Sequence, residues 1–227
     1  MKKLLPAALS IAGVAFIGQS TIAAPDPIFN PALAEIKQKM PKGWEVRLPS
    51  RVGFSDRRNL YPNSVFFTES SQEFFVVLYG GPNCVARACT VGSIVSGRDN
   101  DQSYAHMLMT RPIFSESDTE KLRMLGKKKP SDWTKADLEL FNRSEQGIIR
   151  RESITLKPGV KGLFVANRGM GASTPPSSSV VWRQGSFTYR VSMRGCFSKS
   201  NALVQPCKTE IINTAISMAK ELPIEPD

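Results

Sequence analysis

The stretch Ser179-Val-Val-Trp182-Arg183-Gln-Gly185-Ser-Phe187-Thr-Tyr189-Arg190-Val-Ser-Met-Arg194 reads as two β-strands joined by a tight turn. Its first arm, Ser179 to Arg183, is apolar and β-branched, and Gln184-Gly185 is the turn. The second arm, Ser186 to Arg194, alternates. Phe187, Tyr189, Val191 and Met193 stand at one parity, and Thr188, Arg190, Ser192 and Arg194 at the other. Side chains on a strand leave by opposite faces with a period of two, so the apolar set is expected in a core. Both arginines are then expected on the opposite face.

Other strands extend from this hairpin in both directions. Ile148 to Leu156 and Lys161 to Asn167 are apolar runs separated by the turn Pro158-Gly159. Ser64 to Glu69 and Glu73 to Tyr79 form a second expected hairpin, and Thr90 to Ser96 a further short strand. Gly43 to Pro49 is expected as a first strand, with Trp44, Val46 and Leu48 alternating inward. Helices bracket these strands: Pro31 to Met40 near the start, and Thr209 to Leu222 at the end, with Ile212, Ala215, Ile216 and Ala219 spaced to bury one face.

Between residues 99 and 145 β-branched residues thin out and charges appear at helical spacing. Helices are expected near 102–110, 117–126 and 132–143. Ser117 to Glu120 and Thr134 to Asp137 carry capping-box patterns. Strands, a helical block, strands and a closing helix predict an α+β fold. It is expected as a mainly antiparallel sheet packed against helices, with a helical insertion near 99–145 and a C-terminal packing helix.

The chain opens with Lys2 and Lys3 before an apolar run from Leu4 to Ile17, the length of a signal-peptide core rather than of a membrane-spanning helix. Cleavage after Ala23 places small Thr21 three residues before the cut and keeps Pro25 off the residue that follows it. Residues 1–23 are therefore expected to be a signal peptide and residues 24–227 one globular domain, released to the periplasm, a lumen or the exterior. The whole chain has 30 Lys and Arg against 20 Asp and Glu, and without Lys2 and Lys3 the net charge stays near +8. On charge alone the natural partners are anionic. Polysaccharide, lipid headgroups and acidic proteins are the expected partners, and nucleic acid is not.

Four cysteines in an exported chain, Cys84, Cys89, Cys196 and Cys207, read as two disulfides. Three connectivities are possible. Cys84 with Cys89 and Cys196 with Cys207 are favoured because each pair closes a short loop. The spacing fits neither a zinc site nor a thioredoxin-like C-x-x-C, so no metal is expected.

The residues Gly43-Trp44-x-Val46-x-Leu48-Pro49-Ser50, Pro82-Asn83-Cys84-x4-Cys89, Gly159-Val-Lys-Gly162 and Val181-Trp182-x2-Gly185-x3-Tyr189, with the helix holding Ala215-Ile-Ser-Met-Ala219, form a recognisable set. It resembles uncharacterised exported proteins common in cyanobacteria and, more distantly, PsbP-like α+β sandwiches. That resemblance covers about two-thirds of the mature chain and rests on packing residues. It implies a sheet backed by helices in a periplasmic or lumenal setting, and an accessory or binding role.

Catalytic signatures are scarce. His106 is the only histidine, no G-x-S-x-G elbow occurs, and Gly169-Met-Gly171 leads into Ala-Ser-Thr-Pro-Pro, which cannot open a phosphate-holding helix. No cofactor is expected. The pattern with most chemical content is the polar face of the hairpin, where Arg190 and Arg194 are joined by Arg183 from the preceding strand and by Arg151 from Arg150-Arg151. Arginine suits this role because its planar fork binds carboxylate, phosphate or sulfate through two parallel hydrogen bonds. The leading expectation is a non-enzymatic exported protein that binds an anionic surface or partner through this basic face. The rival is an exported hydrolase that uses His106 under a lid formed by residues 99–145.

Overall fold

Gly185, at φ 64°, turns the chain between β6 (Ser177–Gln184) and β7 (Phe187–Arg194), where a residue with a Cβ would be strained. The computed structural model describes residues 24–54, 60–83, 89–100, 103–111, 113–144, 147–167, 177–194, 196, 205–224 and 226. The expected signal segment, the Gly169-Met-Gly171 loop and Cys84 lie outside them.

Seven strands make one antiparallel sheet in the order β1-β2-β3-β7-β6-β5-β4. β1 (Tyr61–Thr68), β2 (Glu73–Tyr79) and β3 (Thr90–Arg98) form one meander, and β4 (Ile148–Lys157), β5 (Val160–Asn167), β6 and β7 form another. The two meet where β3 pairs with β7. At that seam the chains run close, and a Cβ at Gly92 would collide with the carbonyl oxygen of Ser192. The fold is the α+β arrangement the strand and helix patterns predict.

One sheet face carries the main core. Tyr189 and Val191 of β7, Val180 and Trp182 of β6 and Phe164 of β5 are buried there. On this face α5 (Gln205–Lys220) packs on β4, β6 and β7 and α1 (Leu33–Lys39) on β1, and their Ile36, Ile211, Ala215 and Met218 are buried in the same cluster. α5 begins before the expected Thr209 because Pro206 falls in its first turn, where a missing N–H leaves no hydrogen bond unmade. The disulfide Cys196–Cys207 joins the chain just beyond β7 to the first turn of α5. Cys89 is also disulfide-bonded.

The expected strand at 43–49 is a correction. Trp44, Val46 and Leu48 are buried as the alternation requires, but the segment lies over the sheet and does not join it. Its backbone turns to other partners. Val46 makes a single bridge to Ile224, the Glu45 carbonyl accepts from the Ser96 hydroxyl, and Arg47 donates to the Glu221 carbonyl.

The helical block lies between β3 and β4 and comprises α2 (Tyr104–Thr110), α3 (Glu116–Leu125) and α4 (Lys135–Ser144). The box at Thr134 forms as expected: Asp137 N donates to Thr134 Oγ1 at 3.1 Å, and Thr134 N donates to Asp137 Oδ2 at 3.0 Å. The other box starts two residues earlier than expected. Ser115 accepts from Asp118 N at 3.0 Å, and the Asp118 carboxylate accepts from Ser115 N. A shorter aspartate at N3 serves as well as the glutamate the pattern favours. No helix among the described residues is long and apolar enough to cross a membrane.

Candidate functional site

Period two carries a second set of side chains to the face of the sheet opposite α5. Reading from β1 to β6, one row of cross-strand partners on this face is Phe66, Phe75, Val95, Arg190 and Val181. The next row is Ser64, Val77, Ser93, Ser192 and Ser179. Serines fill four of the five positions of the second row, whereas the first holds Phe66, Phe75 and Arg190. A sheet surface with serines at its centre is lower there than at its bulky margins, so the pattern of side-chain size makes a hollow.

α2 covers the other half of the same face. Its Ala105 and Leu108 pack on Ile148, Val165 and Val181, and Tyr104 at its start stands over Arg190. Glu73 fixes that start by accepting a hydrogen bond from Tyr104 N at 3.2 Å. Between this wall and the aromatic margin lies a cavity of about 430 Å³. Arg190, Arg194, Tyr104, Phe66 and Phe75 line it, with Ser64, Ser93, Ser177, Ser179 and Ser192 contributing hydroxyls.

Arg190 is the unusual member. It is 7% exposed, its guanidinium carbon lies 4.4 Å from the Tyr104 ring centre and 5.9 Å from that of Phe75, and its Nε has no hydrogen-bond partner among the described residues. Burial pulls its pKa below the usual guanidinium value, and the nearby Glu73 carboxylate works against that pull. The cation keeps its proton and so remains a donor that cannot accept. Ring faces accept no ordinary hydrogen bond from the guanidinium, whose fork matches a planar acceptor such as a carboxylate. Arg194, four residues along the same face of β7, lines the cavity roughly 13 Å away at ~3.3 Å per residue.

The other two expected arginines are committed elsewhere. Arg151 shares this face, opposite Val165, but α2 lies over it. Its Nη2 donates to the carbonyls of Leu108 at 2.8 Å and Arg111 at 2.5 Å, closing the C-terminus of α2. Arg183 lies at the far end of β6, where its Nε is 3.1 Å from Asp99 Oδ1 and its Nη2 is 3.4 Å from His106 Nδ1. His106, on α2, adjoins the Arg183–Asp99 ion pair and is not among the cavity's lining residues. Among the described residues no group of three or more metal-ligating side chains occurs.

No family model, curated protein or solved structure matches the chain. The site has to be read from its own geometry. The strand pattern placed Arg190 and Arg194 on one face. It did not identify Tyr104 and Glu73, which turn that face into a cavity and come from elements distant in sequence. Of the serines only Ser192 reads as a polar position in the strand pattern, and the strand register brings Ser64, Ser93 and Ser179 into line with it.

Proposed function

We propose that this chain is an exported, non-enzymatic binding protein that takes an acidic group of its ligand into the cavity on the outer face of its sheet. The observation that carries this reading is Arg190, which lines the cavity, lies against two aromatic rings and has a buried Nε without a hydrogen-bond partner among the described residues. A buried cation without a hydrogen-bonded anion destabilises a fold, and an entering carboxylate, sulfate or phosphate relieves that cost. A flat anionic surface such as a bilayer meets only exposed cations, so the concavity favours a discrete acidic group over a lipid surface. The Cys196–Cys207 bridge and the N-terminal sequence support an oxidising compartment outside the cytoplasm. The engagement of His106 with Arg183, away from the cavity serines, supports binding rather than hydrolysis.

The test is a titration of the mature chain with acetate, sulfate and inorganic phosphate at low salt, followed by amide NMR shifts. At least one anion is expected to move the resonances of Arg190, Ser192 and Ser93, less so as salt rises. Arg190→Met with Arg194→Ala should remove the response while the far-ultraviolet dichroism stays native, and Arg183→Ala should keep it. Absence of any shift in the wild type, or a normal response from the double variant, would end the proposal.

A further inference from the structure

We infer that the ligand of this cavity is an acidic saccharide: a sugar ring bearing a carboxylate, of the uronic-acid type. The inference rests on the anion-binding reading above and deepens it. Its first support is charge. Among the described residues the cavity is lined by two arginines and no lysine, and Glu73 lies close enough to Arg190 to offset part of its charge. That balance matches a planar monoanion better than a dianionic phosphate, and the fork of a guanidinium matches a carboxylate edge to edge.

The second support is the hydroxyl row. Ser179 and Ser192 face each other at 2.8 Å across β6 and β7, Ser93 continues the row on β3, and Ser64 ends it on β1 beyond Val77 of β2. Each serine has one donor and two acceptor sites, so a bonded pair still has acceptor capacity to offer. A floor of this kind exchanges hydrogen bonds with a polyol and offers little to an acyl chain. The third support is the aromatic margin. Phe66 and Phe75 stack at 4.9 Å and 10°, and Phe66 is 41% exposed on the outermost strand. The negative face of an aromatic ring attracts the polarised C–H face of a pyranose, which water solvates poorly. Carboxylate binder, hydroxyl floor and ring shelf adjoin in a space of about 430 Å³, within the size range of small-ligand sites.

The experiment compares D-glucuronate, D-glucose, acetate, inorganic phosphate and phosphatidylglycerol vesicles on the full mature chain. Glucuronate is expected to bind about tenfold more tightly than acetate, because ring and hydroxyl contacts add to the shared carboxylate. Glucose, phosphate and vesicles should each bind more weakly than glucuronate. Phe66→Ala should weaken glucuronate by about tenfold and leave acetate unchanged, since only the sugar reaches the shelf. Arg190→Lys keeps the charge but not the fork and should weaken both carboxylates. If acetate and glucuronate bind equally through Arg190, or phosphate or vesicles bind better, the saccharide inference is overturned while anion binding stands. If no anion binds, both readings fall together.

Discussion

Tyr189 and Arg190 are neighbours in sequence with opposite fates, and the pleat of β7 is the reason. Tyr189 points into the core, its ring stacked near Trp182 with centres 5.5 Å apart and its hydroxyl donating to Glu45 Oε2 at 3.1 Å. Burial pushes its pKa up to about 12, and the Arg47 guanidinium pulls the other way. An unfolded phenol titrates near 10, so the folded state favours the protonated form. The resulting stabilisation, on the order of 2–3 kcal/mol, is complete below about pH 10 and lost as pH rises toward about 12. Absorbance at 295 nm should therefore contain a step near pH 12 that Tyr189→Phe removes, together with part of the alkaline loss of stability. A variant whose titration matches the wild type would contradict the assignment. At this scale the sequence was informative about direction only. Alternation put Arg190 opposite Tyr189, but its burial depends on Tyr104, a residue of another element.

Among the elements, α2 is the one whose position defines the site. At seven residues it is too short to persist alone, so its neighbours hold it. Ser103 accepts from His106 N at 3.0 Å, Glu73 accepts from Tyr104 N, and Arg151 donates to the carbonyls of Leu108 and Arg111. Arg151→Ala should lower stability in urea by about 2 kcal/mol, the usual worth of hydrogen bonds from a charged group. It should also speed amide exchange within α2 more than within β3. Unchanged exchange in α2 would show that packing of Ala105 and Leu108 suffices. Helices and strands were legible where periodicity ran long, as in β7, or where caps spoke, as at Thr134. The segment at 43–49 misled because alternating burial marks an extended chain against a core, whether or not the chain joins a sheet. Arg151 misled in a related way: parity gave its face, and nothing local announced the helix above it.

For the molecule as a whole, the two faces of one sheet differ in how they are covered. The α5 side is closed by helices and by the segments before β1, with Val46 bridged to Ile224. The opposite side is half covered, and its open half is the cavity. The α+β class followed from the order of strands and helices, whereas the cavity did not, because its serines come from both meanders. Strand order also bears on how the protein reaches this state. Every pairing but one joins strands adjacent in sequence, and only the β3–β7 ladder, from Gly92 with Met193 to Arg98 with Phe187, reaches across the helical block and three strands. Closing that loop costs chain entropy before any contact offsets it, so the ladder is expected to form the nucleus of the folding barrier. In stopped-flow experiments Ile94→Val, at the seam, should slow refolding, while Val65→Ala, in the first hairpin, should mainly speed unfolding. The reverse pattern would place the barrier within the hairpins. On this expectation the floor of the cavity is assembled by the same event that commits the chain to fold, and a partly zipped sheet presents no such cavity.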